Sequence, residues 1–395
     1  MLRMRGAPSG GRLGVLLVCS GLALAAPGFA THAGAAAKNL LVNPGFEELL
    51  KGHPWMPSGW DTSRAGTTSA FFGRDTLLVH GGKFAVSVAN ASGLFPMAHN
   101  WSQTLLLGRE AWGKDLVFSV WTRSLAVEGR AYVLVQAFQD TITKMSRVWD
   151  IERDDAGRRL RITGVDDPVL DLGWKRQFFS EPETDWVRRE VRVFVPPSVN
   201  VVFVRCGLLG TGQVFVDDAS LTLEPALPSP EPPLKTNLLA DPGFEGDGNA
   251  WEYSLPPYPN MRADRDTSVV HSGTASLRMS SMAGAMVPGK AGVCQVLSNR
   301  NFAGKRLRFS GYIKTDSLRS TAYLKLYCHT PRGAEAGAAT KVFSGTMDWG
   351  LATLDMDAPL DTYEIWIWFT YNAPTRGRVY FDDASLEVLG PAGSQ

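Results

Sequence analysis

Cysteine is scarce: four residues in 395, one of them, Cys19, inside an N-terminal apolar run. The other three, Cys206, Cys294 and Cys328, are an odd number without a CxxC, which excludes a small disulfide-framed domain and leaves room for one bridge at most. Cys294 with Cys328 is one candidate pair, and three buried thiols in strands is the other reading, because spacing alone does not supply the Cα separation that a bridge needs. Paired histidines at metal-site spacing are missing, which argues against zinc. Charge of one sign is missing too, at 40 basic against 39 acidic residues. With no Lys/Arg stripe, nucleic acid and anionic membrane surfaces are poor partners and a neutral ligand is expected. No apolar run after the N-terminus approaches the roughly 20 residues of a membrane span. Neither a GxSxG nucleophile elbow nor a P-loop occurs.

What is present begins with a different material. Arg3, Arg5 and Arg12 precede "LGVLLVCSGLALAA" (13–26), and "GFA" (28–30) offers a small-residue cleavage site. Residues 1–30 read as a secretory signal peptide, with cleavage after Ala33 or Ala37 as alternatives. Cys19 raises lipid attachment, although Val18 before it is bulky for that chemistry. Without these residues 37 basic face 39 acidic side chains, a net −2. A secreted protein is expected, extracellular or periplasmic.

The remainder repeats itself. "NLLVNPGFE" (39–47) returns as "NLLADPGFE" (237–245), "DTLLVHGGKFAVSV" (75–88) as "DTSVVHSGTASLRM" (266–279), and "GKDLVFSVWTRS" (113–124) as "GKRLRFSGYIKT" (304–315). "AYVLVQAF" (131–138), "TDW" (184–186) and "VFVDDASL" (214–221) match "AYLKLYCH" (322–329), "MDW" (347–349) and "VYFDDASL" (379–386). His80 to Trp121 and His271 to Tyr312 are both 41 positions. Two copies of one module are therefore expected, 38–223 and 237–389, with the Pro-rich "EPALPSPEPPLKT" (224–236) between them as an extended, semi-rigid linker that could hold them roughly 30–40 Å apart at ~3.1 Å per residue. The first copy carries about 28 more residues, within 139–184, than the second has between His329 and Trp349. Such an insertion belongs on the surface as a hairpin or lid.

Each segment alternates with period two between Gly, Pro, Asn and Asp clusters, as in Leu116, Phe118 and Val120 against Ser119, Trp121 and Arg123. The fold class is all-β: two tandem jelly-roll β-sandwiches. In "NPGF" the Pro and Gly predict a type II turn, with Phe46 and Phe244 as core plugs. His80 and His271 read as structural turn residues. Asp217 is assigned the face of Phe215, Ala219 and Leu221, and Asp218 the opposite one, so the pair cannot flank a glycosidic bond as two catalytic carboxylates would. No enzyme is read.

Lined up in this order, twice, the motifs resemble carbohydrate-binding modules of the family 4/9 type and the related xylan-binding modules of family 22, with their galactose-binding-like jelly roll. The resemblance implies a structural calcium between the first and last strands, held by Glu47 with Asp217 and by Glu245 with Asp382, with carbonyls near Gly82 and Lys83 or Gly273 and Thr274. Calcium's need for six to eight hard oxygens suits acids at these places. The bland alternative pairs Glu47 with a lysine or a backbone N–H.

Sugars are held by flat rings and planar polar groups, and the polar faces of the middle strands offer both. The candidate carbohydrate-binding residues are Trp121, Arg123, Tyr132 and Gln136 in the first module and Tyr312, Lys314, Tyr323, Lys325, Tyr327 and His329 in the second. Leu134 and Phe138 make the first set more apolar, or covered by the insertion. Trp121 and Tyr312 could instead be sheet residues under a loop, and Trp186 and Trp349 read as core or edge packing. Trp366 and Trp368 share the non-core face of a late strand, and Trp55, Trp60, Trp251 and Tyr253 could wall a cleft. The function expected is non-catalytic binding of a polysaccharide or oligosaccharide. The alternatives are a surface scaffold for protein contacts and an accessory part of a glycoside-hydrolase system.

Overall fold

A computed structural model describes residues 38–63, 70–91, 98–140, 150–153, 159–163, 169–246, 248–254, 261–281, 291–339, 341–372 and 376–393. The signal-peptide reading lies outside them. In the first module the alternating segments form β1 (Asp61–Ser63), β2 (Ala70–Asp75), β3 (Ala85–Asn90), β4 (Ala98–Leu106), β5 (Lys114–Asp140), β6 (Asp150–Arg153), β7 (Arg159–Thr163), β8 (Val169–Phe179), β9 (Val187–Phe194) and β10 (Val201–Pro225). The second contributes β11 (Glu252–Ser254), β12 (Met261–Asp266), β13 (Ser276–Ser281), β14 (Ala291–Ser298), β15 (Lys305–Thr330), β16 (Gly333–Ala338), β17 (Phe343–Asp357), β18 (Glu364–Tyr371) and β19 (Arg378–Pro391). The fold is all-β, two antiparallel sandwiches in tandem.

Long strands serve both layers of each sandwich, β5 and β10 in the first and β15 in the second. The later half of β5 pairs with β8 and with 201–209 of β10, in an order β1-β4-β10-β5-β8. The earlier half pairs with β9 and the end of β10, beside β3 and β2. In the second module β15 does the same, in layers β11-β14-β18-β15-β16 and β12-β13-β19-β15-β17. The crossing brings backbones too close for side chains. Gly212, at φ 97°, would place a Cβ 2.2 Å from the Ala126 carbonyl. One apolar core fills each sandwich, around Trp60, Trp101 and Phe118 in the first and Trp251, Phe309 and Phe369 in the second.

The repeated opening phrase closes that core. Phe46 N–H donates to Asn43 O (3.1 Å) across Pro44 and Gly45, but the positive φ values fall on Asn43 (49°) and Phe46 (58°), not on the glycine. The turn is therefore not the type II turn that the proline and glycine suggested. Phe46 accepts a left-handed conformation, costing about 1 kcal/mol, while its ring is fully buried. Trp60 packs tilted against it at 4.7 Å and its Nε1 donates to Asn43 O (3.0 Å); Trp251 packs on Phe244 (4.9 Å) and donates to Asp241 O (2.9 Å). Both tryptophans are 0% exposed, so they are core residues and not the wall of a cleft.

Residues 224–236 are a docked strap and do not hold the modules apart. Leu227 N–H donates to Asp115 of the first module (3.0 Å), Arg300 and Asn301 of the second donate to Leu227 O and Ser229 O (both 2.6 Å), and Leu234 bridges Val388. The modules also touch directly. Arg130 Nη1 donates to Gly248 O (3.1 Å) and Trp251 O (3.0 Å), with its guanidinium over Phe178 (4.0 Å) and Tyr253 (4.2 Å). Beside it Arg176 meets Glu252 at 3.3 Å, both largely buried. Cys206, Cys294 and Cys328 are buried free thiols. Cys294 and Cys328 lie two strands apart on opposite faces, with Cys294 beside Trp368 and Cys328 beside Ile365, which rules out the bridge between them.

Burial lifts the Glu252 carboxyl from its ordinary 4.5 to about 7, with Arg176 and Arg130 pulling against the shift. The docked state thus holds a proton that separated modules would release, so this contribution is complete below about pH 4.5 and declines as pH rises through 7. Paired fluorophores on the two modules should report looser docking at pH 8 than at pH 4, and Glu252→Gln should abolish that difference.

Candidate functional site

Two kinds of residue cluster emerge in each module, on opposite outer faces of the sandwich. The first is a corner where the closing strand meets the first turn. A β-bulge at Asp218 (φ 45°) and Asp383 (φ 46°) interrupts β10 and β19. It corrects the face assigned to Asp217: that residue stands with Phe215, whereas Ala219 and Leu221, beyond the bulge, point into the core. It also turns Asp217 and Asp218 toward the same loop and not apart. Asp217 Oδ2 accepts from His80 N (2.8 Å) and Gly81 N (3.0 Å), while Asp218 Oδ2 lies 2.7 Å from His80 Nδ1. Asp382 and Asp383 repeat this with His271 and Ser272.

Glu47 completes the corner, its Oε1 accepting from Lys83 N (2.7 Å) and Phe84 N (3.2 Å); Glu245 accepts from Thr274 N (2.8 Å) and Ala275 N (3.3 Å). The glycine of each HxG exists for this contact. A Cβ on Gly82 or Gly273 would lie 2.0 Å from the glutamate oxygen. Asp217 and Asp382 are 0% exposed. Burial raises both carboxyls above the usual aspartate range, backbone amides pull them down, and the neighbouring aspartate pushes them up again; no cation is among the causes. Among the described residues no three acidic, histidine or cysteine side chains converge on a metal-sized space, so a calcium here would draw most of its oxygens from backbone carbonyls.

The same corners hold four of the ten carbohydrate candidates. His80 stacks on Trp121 at 4.0 Å with Trp186 edge-on at 5.7 Å, and His271 stacks on Tyr312 at 3.6 Å with Trp349 at 5.6 Å. Arg123 pairs with Asp185 (2.9 Å) and Lys314 with Asp348 (2.5 Å). Trp121, Arg123, Tyr312 and Lys314 lie on the earlier halves of β5 and β15, in a different layer from Tyr132, Gln136 and Tyr323 to His329. Unbroken alternation along one strand grouped them; the passage of that strand between layers separates them. They are fastened to the corner and do not extend a groove.

The second cluster is the outer face of β14, β18, β15 and β16. Tyr323 stands opposite Thr370, Lys325 opposite Trp368, Tyr327 opposite Trp366 and His329 opposite Glu364. Trp366 and Trp368 therefore join the tyrosines on one face. Gly292 on β14 leaves room for the Trp368 ring, which a Cβ there would meet at 3.0 Å. His329 packs on Trp366 at 4.3 Å, and its burial lowers its pKa to about 4, so it is neutral at physiological pH. Trp366 Nε1 donates to Glu364 (2.5 Å), and Lys325 Nζ to Tyr327 Oη (2.9 Å). The tyrosines and tryptophans are half-buried, Ala334 and Ala336 of β16 are exposed, and β8 of the first module passes beside β15 and β16.

The equivalent face of the first module is filled. Tyr132, Leu134 and Phe178 are buried together, Arg176 lies 5.0 Å over Tyr132, and Asn100 donates to the tyrosine hydroxyl (3.1 Å). Gln136 is half-buried and accepts from Arg205 (3.1 Å). From the insertion, β8 extends the sheet and β7 packs against β1 at the opposite edge. Asn100, Arg205 and Phe178 belong to this face and escaped the sequence reading, although "VVFVRCG" alternates Phe203 and Arg205 with apolar neighbours.

Asp382→Ala strips the acceptor from three amides, those of His271, Ser272 and Asp383. Unfolding in urea should show a loss on the order of 3 kcal/mol, with Asp217→Ala similar.

No protein-family model matches the sequence, and no curated protein does. Among solved structures, the tandem family 22 carbohydrate-binding modules from Paenibacillus barcinonensis match 90% of this chain and 99% of theirs, at 14% identity and a TM-score of 0.30. The C-terminal family 22 module of a Clostridium thermocellum protein matches 42% of this chain over 100% of its own, at 18% identity and a TM-score of 0.31. A family 16 carbohydrate-binding module matches 47% of this chain over 99% of its own, at 14% identity and a TM-score of 0.28. The ligand has to be read from this chain's own side chains.

Proposed function

We propose that the protein is an exported, non-catalytic carbohydrate-binding protein whose second module holds a polysaccharide across the β14–β18–β15–β16 face. One observation carries this reading: Trp366, Trp368, Tyr323 and Tyr327 present four half-buried rings on one face, with polar groups between them. Rings stack on the CH faces of sugars, and the exposed Ala334 and Ala336 of β16 set no bulky side chain beside them. The first module supports the second through the Arg130 and Arg176 contacts and offers no equivalent open face. The polymer should be retained on one site per chain. Trp366→Ala with Trp368→Ala removes two rings worth ~1 kcal/mol each, and should weaken affinity about 30-fold on whichever polymer is bound. Retention on none of a panel of glucans, xylans, polyuronates and arrayed glycans would sink the reading.

We further propose a calcium at each corner, Glu47 with Asp217 and Glu245 with Asp382. Its support is that acids from distant stretches, Glu47 with Asp217 and Glu245 with Asp382, flank the same loop at each corner, the aspartate of each being buried without a lysine or arginine partner among the described residues. Without a cation, the raised Asp217 and Asp382 cost stability as pH rises past the ordinary aspartate range, because the folded state then binds more protons than the unfolded one. Calcium favours the ionised form, so its stabilisation should grow with pH. Chelation should lower Tm more at pH 7 than at pH 4, and Glu47→Gln with Glu245→Gln should remove the response. An unchanged melt at both pH values contradicts the assignment.

A further inference from the structure

At the centre of the β14–β18–β15–β16 face stands a cation with no carboxylate opposite it in register. It is Lys325, between Tyr323 and Tyr327 and opposite Trp368. Its one partner among the described residues is the Tyr327 hydroxyl. Two carboxylates share this face by register, and both are engaged. Glu364 accepts from Trp366 Nε1 and from Ser298 Oγ (2.8 Å), and Glu252 faces Arg176 at the β11 edge. Trp368 Nε1 and both ring nitrogens of His329, a residue 4% exposed, have no partner among the described residues.

The opposite outer face of the same module is a contrast. There Lys314 meets Asp348 (2.5 Å), Arg308 meets Asp355 (2.8 Å) and Arg306 meets Asp357 (3.1 Å), each cation answered by an acid on β17. The strands that flank Lys325 answer it with tryptophan and alanine. A neutral sugar hydroxyl both donates and accepts, and is best served where a carboxylate or amide stands ready to accept from it. A sugar carboxylate only accepts. A fixed ammonium with no acid beside it, set among aromatic rings that lower the local dielectric, suits the second ligand better than the first.

We infer that this face takes an acidic polysaccharide, with the carboxylate of a uronic acid residue on Lys325 Nζ and the neighbouring sugar rings on Trp366 and Trp368. The inference rests on the carbohydrate reading above and names its substrate class. Net charge gave no hint of it, since one cation without an acid partner leaves the count of the whole chain unmoved.

The test is binding of the full chain to polygalacturonate, alginate, hyaluronan and glucuronoxylan, each beside its carboxyl-reduced form, by affinity electrophoresis and calorimetry. At least one native polymer should bind ~10-fold or more tighter than its reduced counterpart, the expected size of one charge-assisted hydrogen bond, and the preference should shrink as salt is raised. Lys325→Met should erase the preference while keeping the weaker binding of the reduced polymer, and Lys325→Arg should retain it. Equal binding of native and reduced forms, or a preference that survives Lys325→Met, overturns the inference but leaves the carbohydrate reading standing. Binding to neutral polymers alone has the same effect. Binding to none of them overturns both.

Discussion

The structure depends on a buried carboxylate that ties the end of each module to its beginning. Asp217 and Asp382 sit in the last strand, yet their oxygens are spent on amides of the loop before the third strand of their module, and the adjoining glutamate comes from the opening turn. Three distant stretches of chain meet at one bulge. In a sandwich whose layers share long strands and an apolar core, this corner adds polar contacts that join the closing strand to the opening turn. The asparagines at the start of each repeat work to the same end: Asn39 donates to Ala219 O (3.0 Å) and Asn237 to Ala384 O (2.8 Å), both on the closing strand.

Much of this was legible in the sequence for a local reason. Alternation of polarity is a two-residue property, so strands, module count and the identity of the fastening motifs could be read directly. What was not legible lies where alternation keeps its beat while the geometry changes. The passage of β5 and β15 between layers leaves the pattern intact, and residues of two separate surfaces looked like one. The bulge at Asp218 does the reverse, shifting the phase by a residue that carries no glycine or proline to announce it. Arg130, Arg176 and Glu252 meet across the modules as isolated charges far apart in sequence, and no local pattern marks them.

The two copies have diverged in a direction that chemistry explains. Tyr132 and Tyr323 occupy equivalent places, but the residue two positions on is leucine in one module and lysine in the other. On the neighbouring strand Arg205 stands where the second module has Trp368. The first face carries apolar side chains buried together, and the second carries half-buried rings and a cation.

The long strand has a mechanical consequence. On the proposed reading, a polymer seated on Tyr323 and Tyr327 would pull on β15, a strand of 26 residues whose other half is hydrogen-bonded into the opposite layer. Tension along that strand is resisted in shear, by many hydrogen bonds loaded together, where a short edge strand would be peeled off one bond at a time. A protein anchored to a fibrous substrate in moving fluid would carry that load through the middle of its sandwich and not through its rim.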